Sequence, residues 1–377
     1  MDRVPVSAAV PDAYVRCLLV GVRGHGGEEI YSTRLRDEPP PGVTVAATFD
    51  FGRSCPGARC QRVTEALMNR LVHPWAAPDM GFRVLKVDPG IDLVHVHTHP
   101  VVLRGLGARP VVFSAGSSHY HYLRDYEGWS GEAIRRRYAR GRAAFRALGV
   151  LDSLLNHDAI TISYTFSDDA RSAYLAFGVP PEKIRVLYPG FDVPAVPPRS
   201  GRDAVTFLFL GRNPQRKGGD LVLGAFRRLR ETLPSARLLY VSDVLPDAMD
   251  GVEGMPLVAP ADVAALYGRA DVFVSPARAE GFGFTNAEAQ GFGLPVISTR
   301  LGAIPEVVAD GTTGILVDRG DGEGVLAAMR RLGADAELRR EMGGAGRDRF
   351  LARFSLPVFH AGLRALYDEA LDRASRG

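Results

Sequence analysis

Short apolar runs recur along this chain, each set off by a helical stretch or a glycine-rich break, and the whole pattern occurs twice. In the first half CLLVGV (17–22), VTVAAT (43–48), DLVHVH (92–97), PVVFSA (110–115) and DAITIS (158–163) read as strands, with IRVLYPG (184–190) closing the series. Most are continuous rather than alternating, which predicts strands covered on both faces, as in parallel sheets flanked by helices. Helical spacing occupies 131–148 and 167–177. The proline-rich DVPAVPPRSGRDA (192–204) then reads as a linker. A second series follows: VTFLFLG (205–211), a helix at 219–233, ARLLYVS (236–242), DVFVSP (271–276), PVIST (295–299) and GILVD (314–318). On that first helix Leu221, Ala225, Phe226, Leu229 and Leu233 share a face. Helices at 323–332, 335–352 and 357–374 end the chain. Two such α/β halves predict Rossmann-like domains facing a ligand-binding cleft.

With 377 residues and 46% apolar content the chain can bury large cores. Its apolar runs fall short of the roughly 18 residues that span a bilayer, and the N-terminus shows no signal-type apolar region. A soluble, cytoplasmic protein is expected. Cys17, Cys55 and Cys60 are too few for a disulfide framework. A net charge of +3 is too mild to point to nucleic acid. Lysine occurs only at Lys86, Lys183 and Lys217, so a lysine inside a motif stands out.

Two stretches carry chemistry. GRNPQRKGGDLVLGAF follows the first strand of the second half, placing Arg212 and Lys217 on a strand-to-helix loop at the carboxyl edge of the sheet. Two cations there suit a diphosphate, the arginine bidentately and the lysine as a point charge; both side chains are expected to be exposed. Arg216 beside them reads as a solvated neighbour. The loop is not a Walker A sequence. Further on, PARAEGFGFTNAEAQGFG carries Glu280, two glycines and a helix expected to begin near Thr285. Gly281 and Gly283 let backbone approach a ligand, and the helix start offers free N–H groups to phosphate or hydroxyl oxygens. Glu288, within the first turns, has a carboxylate that suits a vicinal diol such as a ribose.

These motifs, with LYGRADVFVSP, GLPVIST and AIPEVVADGTTGILV, resemble glycosyltransferase family 4, retaining nucleotide-sugar enzymes of GT-B fold. The resemblance is dense over 205–320 and looser in the first half, where it rests on GHGGEEIY (24–31), DLVHVHTHP (92–100) and DAITISYTFSDDARSAYLAFGVPPEKIRVLYPGFD (158–192). It implies that Arg212 and Lys217 neutralise the donor diphosphate. Glu280 would lie near the donor sugar and Glu288 would bind ribose. The backbone of Gly283, Phe284 and Thr285 would donate to sugar or phosphate oxygens. Gly26 and Gly27 match the family's first glycine-rich loop, and His119 or His121 its sugar-contacting histidine. Domains of 1–192 (acceptor) and 193–356 (donor) are implied, with the helix of 357–377 packing back on the first. The donor is a substrate, UDP-linked by family frequency, and no cofactor or metal is expected. After ARLLYVS the chain reads VSDVLPDAMDGVEGMPLVAPADVAALY, shorter than the family's usual turn and helix.

His95, His97 and His99 alternate along a strand, the spacing of a metal site, but the family's strand has this character without metal. No D-x-D triplet occurs. The helix of 131–148 carries Arg135, Arg136, Arg137, Arg140, Arg142 and Arg146 opposite a small apolar face of Ile134, Tyr138, Phe145 and Leu148, a pattern for weak peripheral contact with anionic lipid at the inner membrane face. Rival readings are a nucleotide-sugar epimerase of the same fold, a non-catalytic sugar-nucleotide binder and a membrane-associated glycolipid glycosyltransferase.

Overall fold

The computed structural model describes residues 15–21, 27–48, 83–98, 100–116, 123–124, 128–152, 154, 156–194 and 204–376. The sequence readings at Gly26, Cys55, Cys60, His99, His119 and His121 lie outside them. The chain divides into two compact units. One holds residues 1–166, 170–187 and 360–377, the other 167–169 and 188–359. The first division thus falls a few residues before the proline-rich stretch, after Leu187.

In the first unit a six-stranded parallel sheet runs in the order β2-β1-β4-β6-β7-β8, from strands β1 (Val15–Val20), β2 (Val43–Thr48), β4 (Leu93–His97), β6 (Val111–Ala115), β7 (Ile162–Thr165) and β8 (Ile184–Val186). Strands β3 (Arg83–Lys86) and β5 (Val101–Arg104) form a separate parallel pair. Every residue of β4, β6 and β7 is buried, as two-sided cover by helices requires. Helices α1 (Gly27–Asp37), α2 (Gly131–Ala147) and α3 (Asp168–Ala176) accompany the sheet. The strand read at 158–163 begins later, because Ile160 is held in a turn by its N–H bond to the His157 carbonyl. The chain's last helix, α11 (Leu356–Arg376), brings Leu363, Leu366, Tyr367 and Ala370 into this unit's interior. It approaches so closely that a Cβ on Gly362 would lie 2.6 Å from Leu187.

The second unit is built on β9 (Thr206–Leu210), β10 (Arg237–Val241), β11 (Val252–Met255), β12 (Val272–Ser275), β13 (Val296–Thr299) and β14 (Gly314–Val317). All pairings are parallel and the order is β11-β10-β9-β12-β13-β14. That is the doubly wound order, with its switch point between β9 and β12, where such sheets receive ligands. Its helices are α4 (Pro214–Lys217), α5 (Gly219–Arg230), α6 (Pro260–Arg269), α7 (Phe284–Gly291), α8 (Ile304–Val307), α9 (Gly322–Ala334) and α10 (Ala336–Arg353). Val222, Ala225, Phe226 and Leu229 of α5 pack with Val325, Leu326, Met329 and Leu332 of α9 over Phe207 and Phe209 of β9. The buried face of α5 therefore centres on Val222 rather than on Leu221, and the helix stops at Arg230, before Leu233. Residues 242–251 reach β11 without a helix, the shortening read in the sequence, and β11 is largely exposed.

Candidate active site

Because β9 and β12 are neighbours, the loops leaving their carboxyl ends meet within the second unit. The first is forced into shape by two left-handed residues. Asn213 (φ +57°) caps α4 by accepting the Arg216 N–H at 3.1 Å, and Gly218 (φ +75°) ends it. Only glycine fits at 218, since a Cβ there would sit 2.2 Å from the Pro276 carbonyl oxygen. The second loop is clamped on top. Arg216 donates to the Ala279 carbonyl at 2.9 Å, and the Arg278 N–H donates to the Arg216 carbonyl at 2.7 Å. The Arg278 guanidinium grips Asp220 with two bonds of 2.6 and 2.7 Å. Arg216 is thus a structural clamp and not a solvated neighbour.

This clamp sets Glu280 against Lys217. The two form an ion pair, with side chains 12% and 11% exposed. Burial alone would raise the Glu280 carboxyl, but the charges of Lys217 and Arg216, the Lys217 hydrogen bond and the Gly281 N–H outweigh it and hold the group below its ordinary range. Lys217 is therefore not the exposed side chain expected from sequence. The strand-to-helix loop is too tight to let its stem out, and Gly211 leaves just enough room for it: a Cβ there would lie 2.9 Å from the Lys217 Cγ. Arg212 is exposed as expected. Burial pushes the neighbouring Asp243 up, but the Asn213 N–H and the Ser242 hydroxyl, with the Arg212 charge adding least, hold it below the usual carboxylate range.

Helix α7 starts at Phe284, one residue from the expected position, after Gly283 at φ +87°. Its first N–H groups, at Phe284 and Thr285, lie where a helix has no carbonyl of its own to offer them. One turn in, Glu288 is partly exposed and meets the hydroxyl of the fully buried Tyr267, 3.3 Å from its Oε2. The same hydroxyl lies 3.2 Å from the Thr285 carbonyl. Behind the helix start, Asn286 donates to Ser298 at 3.2 Å, and Ser298 donates to the Ser275 carbonyl at 2.8 Å. These bonds tie α7 to β12 and β13.

In the first unit, Gly27 is the first residue of α1. His95 and His97 of β4 are buried and share the Ser114 hydroxyl, at 2.8 and 2.7 Å. The other ring nitrogen of His95 meets the Tyr367 hydroxyl of α11 at 2.7 Å. These histidines are tied into a core network. Among the described residues no group of three or more His, Cys, Asp or Glu is arranged to hold a metal ion.

The structure thus brings together Lys217 with Glu280, and Gly283, Phe284 and Thr285 with Glu288. The sequence reading missed Arg278, Asp220, Tyr267 and the capping role of Asn213. Tyr267 stands inside the quoted LYGRADVFVSP block, yet its pairing with Glu288 depends on how α6 packs beside α7.

The family described as "Glycosyl transferases group 1" matches residues 204–335. A D-inositol 3-phosphate glycosyltransferase of Segniliparus rotundus is 33% identical over 365 residues, covering 89% of this chain and 73% of the relative. The GDP-mannose-dependent alpha-(1-6)-phosphatidylinositol monomannoside mannosyltransferase of Mycolicibacterium smegmatis is 30% identical over 276 residues, 65% of this chain and 66% of that protein. Among solved structures, sucrose-phosphate synthase from Thermosynechococcus elongatus superposes with a TM-score of 0.65 at 19% identity, covering 94% and 98% of the two chains. Anabaena HepE in complex with UDP-glucose does so with 0.65 at 13%, covering 94% and 100%. The fold they share with this chain is GT-B.

Proposed function

The chain belongs to the group 1 glycosyltransferases, family 4, and from that premise we propose that it moves a sugar from a UDP-sugar to an acceptor hydroxyl with retention of anomeric configuration and without a metal ion. The observation that carries this reading is the buried Lys217–Glu280 pair at the switch point of the second sheet. An ammonium has three donors; Glu280 uses one, which leaves others for a diphosphate. Arg212, exposed on the same loop, adds a second cation, and the start of α7 adds backbone N–H groups. In this reading Glu280 lies at the donor sugar and Glu288 at the ribose. Gly26, Gly27 and a histidine at 119 or 121 are proposed as further donor contacts on the family resemblance alone.

The site stabilises the leaving group. As the bond between the sugar's anomeric carbon and the phosphate oxygen loosens, charge builds on the diphosphate and on an oxocarbenium-like sugar. Preorganised cations and N–H groups lower that barrier without having to reorganise. The acceptor hydroxyl attacks from the face the phosphate leaves, and the departing phosphate oxygen takes its proton. D-Inositol 3-phosphate, in the name of the Segniliparus rotundus relative, is the first acceptor to try, and GDP-mannose, in the name of the Mycolicibacterium smegmatis relative, is the donor to test beside UDP-sugars.

Thermal-shift screening against UDP, GDP, ADP and TDP tests the donor, since a ligand bound only by the folded state raises its stability. UDP is expected to give the largest shift; a larger one with GDP moves the donor assignment. Incubation with the nucleotide sugar alone tests the rival activity, where an epimerised sugar nucleotide in place of acceptor-dependent UDP release overturns the proposal.

A further inference from the structure

We propose that Arg278 is a positioning residue for the donor diphosphate: with Asp220 it holds the one-turn helix α4 in the orientation that presents Lys217, and it acts on the ligand only through that lysine. The proposal rests on the reading of Lys217 given above. Helix α4 has four residues, Pro214–Lys217, set between the left-handed Asn213 and Gly218. A single turn is too short to sustain itself by its own hydrogen bonds. Where Lys217 points is therefore decided by what grips that turn.

Arg278 grips it from the neighbouring loop. The last carbonyls of a helix find no N–H within it, and here one residue meets two of them. Arg278 Nη1 donates to the Gln215 carbonyl at 2.6 Å, and the Arg278 backbone N–H donates to the Arg216 carbonyl at 2.7 Å. The same guanidinium forks onto both oxygens of Asp220, in the first turn of α5, at 2.6 and 2.7 Å. One side chain thus fixes the backbone on either side of Lys217, with a planar geometry that a lysine cannot reproduce. It also stands two residues before Glu280, the partner of Lys217. The Arg278 hydrogen bond outweighs burial and holds the Asp220 carboxyl below its ordinary range, so the pair stays charged at neutral pH. Its side chains are 33% and 42% exposed, and an ion pair so open to water contributes little to folding. What it contributes is position.

The test is titration of UDP and of uridine, followed by NMR, into wild type, R278Q, R278K, D220N, K217M/E280Q and the triple variant R278Q/K217M/E280Q (or of GDP and guanosine, if GDP binds better). R278Q and D220N are expected to weaken UDP about tenfold, the order of one charge-assisted hydrogen bond, and to leave uridine unchanged, while melting close to wild type. R278K keeps the charge and loses the fork, so it is expected to behave as R278Q does. In the K217M/E280Q background R278Q is expected to cost UDP nothing further, because the arginine acts through the lysine. Equal weakening of UDP and uridine by R278Q would mean a merely structural role and overturn the proposal. Wild-type UDP binding in R278Q or R278K would overturn it as well, while sparing the reading of Lys217. A further loss of UDP in the triple variant would show that Arg278 meets the phosphates itself, which also overturns it. If K217M/E280Q binds UDP as wild type does, the reading of Lys217 fails and takes the proposal with it.

Discussion

Lys217 has two jobs that a single truncation would confuse. It is a cation for the leaving diphosphate in the proposed chemistry, and it is the counter-charge of Glu280. Both side chains of the pair are nearly inaccessible, so solvent screening does not erase their interaction. Removing one partner strands a buried charge and costs about 3 kcal/mol of stability. K217A is therefore expected to melt several degrees lower and to lose on the order of 100-fold in turnover, the scale of one transition-state contact. K217M/E280Q is expected to regain most of the melting temperature and none of the activity. Recovery of neither would mean the pair is not what holds that loop. R212A separates the roles from the other side: its side chain is exposed, so turnover falls on the order of 100-fold with no change in melting. At this scale the identities of Arg212, Lys217, Glu280 and Glu288 were legible in the sequence, because each sits in a motif. The burial of Lys217 was not, nor were the partners Arg278, Asp220 and Tyr267, since a hydrogen bond between residues tens of positions apart leaves no local pattern.

Among elements, the strands of the second sheet were legible to within a residue or two, because fully buried parallel strands must be continuous apolar runs. Short or solvent-facing elements were not. Strand β11 has no apolar pattern to read, and α1, GEEIYSTRLRD, is too polar to announce itself. Helix α2 shows how the same residues can support two readings. Its apolar face of Ile134, Tyr138 and Phe145 is buried in the first unit's core, so insertion into a bilayer is closed to it. Several of its arginines are engaged within the protein: Arg136 with Glu132, Arg142 with the Phe177 carbonyl, Arg146 with Asp158 and Arg137 over Trp129. The strand β4 carries a prediction. His95 is buried among Ser114 of β6, Tyr164 of β7, Tyr367 of α11 and His97 and Cys17, and burial, then the His97 charge, push its imidazole well below the ordinary 6.5. The unfolded chain therefore binds this proton first as pH falls. The native state loses stability below about pH 6.5, by up to ~1.4 kcal/mol per pH unit, until the depressed value is reached. Glu280, held below its ordinary 4.5, keeps its charge through the upper part of this window. Of the two tryptophans, Trp129 packs against the first unit's core, so its fluorescence follows that unit. Urea melts by that signal between pH 7.5 and 5.5 should show the slope in wild type and a flatter one in H95Q; identical slopes would acquit His95.

For the whole molecule, the fold was legible because its two-part rhythm is written in apolar runs, and the candidate loops of the second unit because phosphate loops need glycines and helix starts at fixed places. Loops that read an acceptor obey no such backbone rule, and there the sequence pointed only to neighbourhoods. What joins fold to function is the stereochemistry of transfer. If, as proposed, Arg212, Lys217 and the start of α7 hold the diphosphate, it cannot swing away as its bond to the sugar breaks, so the face it leaves stays the face where a proton acceptor is found. In the proposed mechanism an incoming hydroxyl that gives its proton to that oxygen arrives from the same side, and the product is expected to keep the donor's configuration. In the proposed site Glu280 acting as a nucleophile would give the same result by two inversions; the routes are distinguished because, if the glutamate only orients, wild type traps no covalent sugar on Glu280 and E280Q retains measurable turnover. An inverting enzyme needs a general base opposite the leaving group. In the proposed mechanism Arg212 and Lys217 do the charge neutralisation that a divalent ion performs elsewhere, so activity is expected to survive EDTA. Proton NMR of the first product reports the anomeric coupling directly. An inverted product, or activity abolished by EDTA and restored by manganese, would overturn the proposed mechanism.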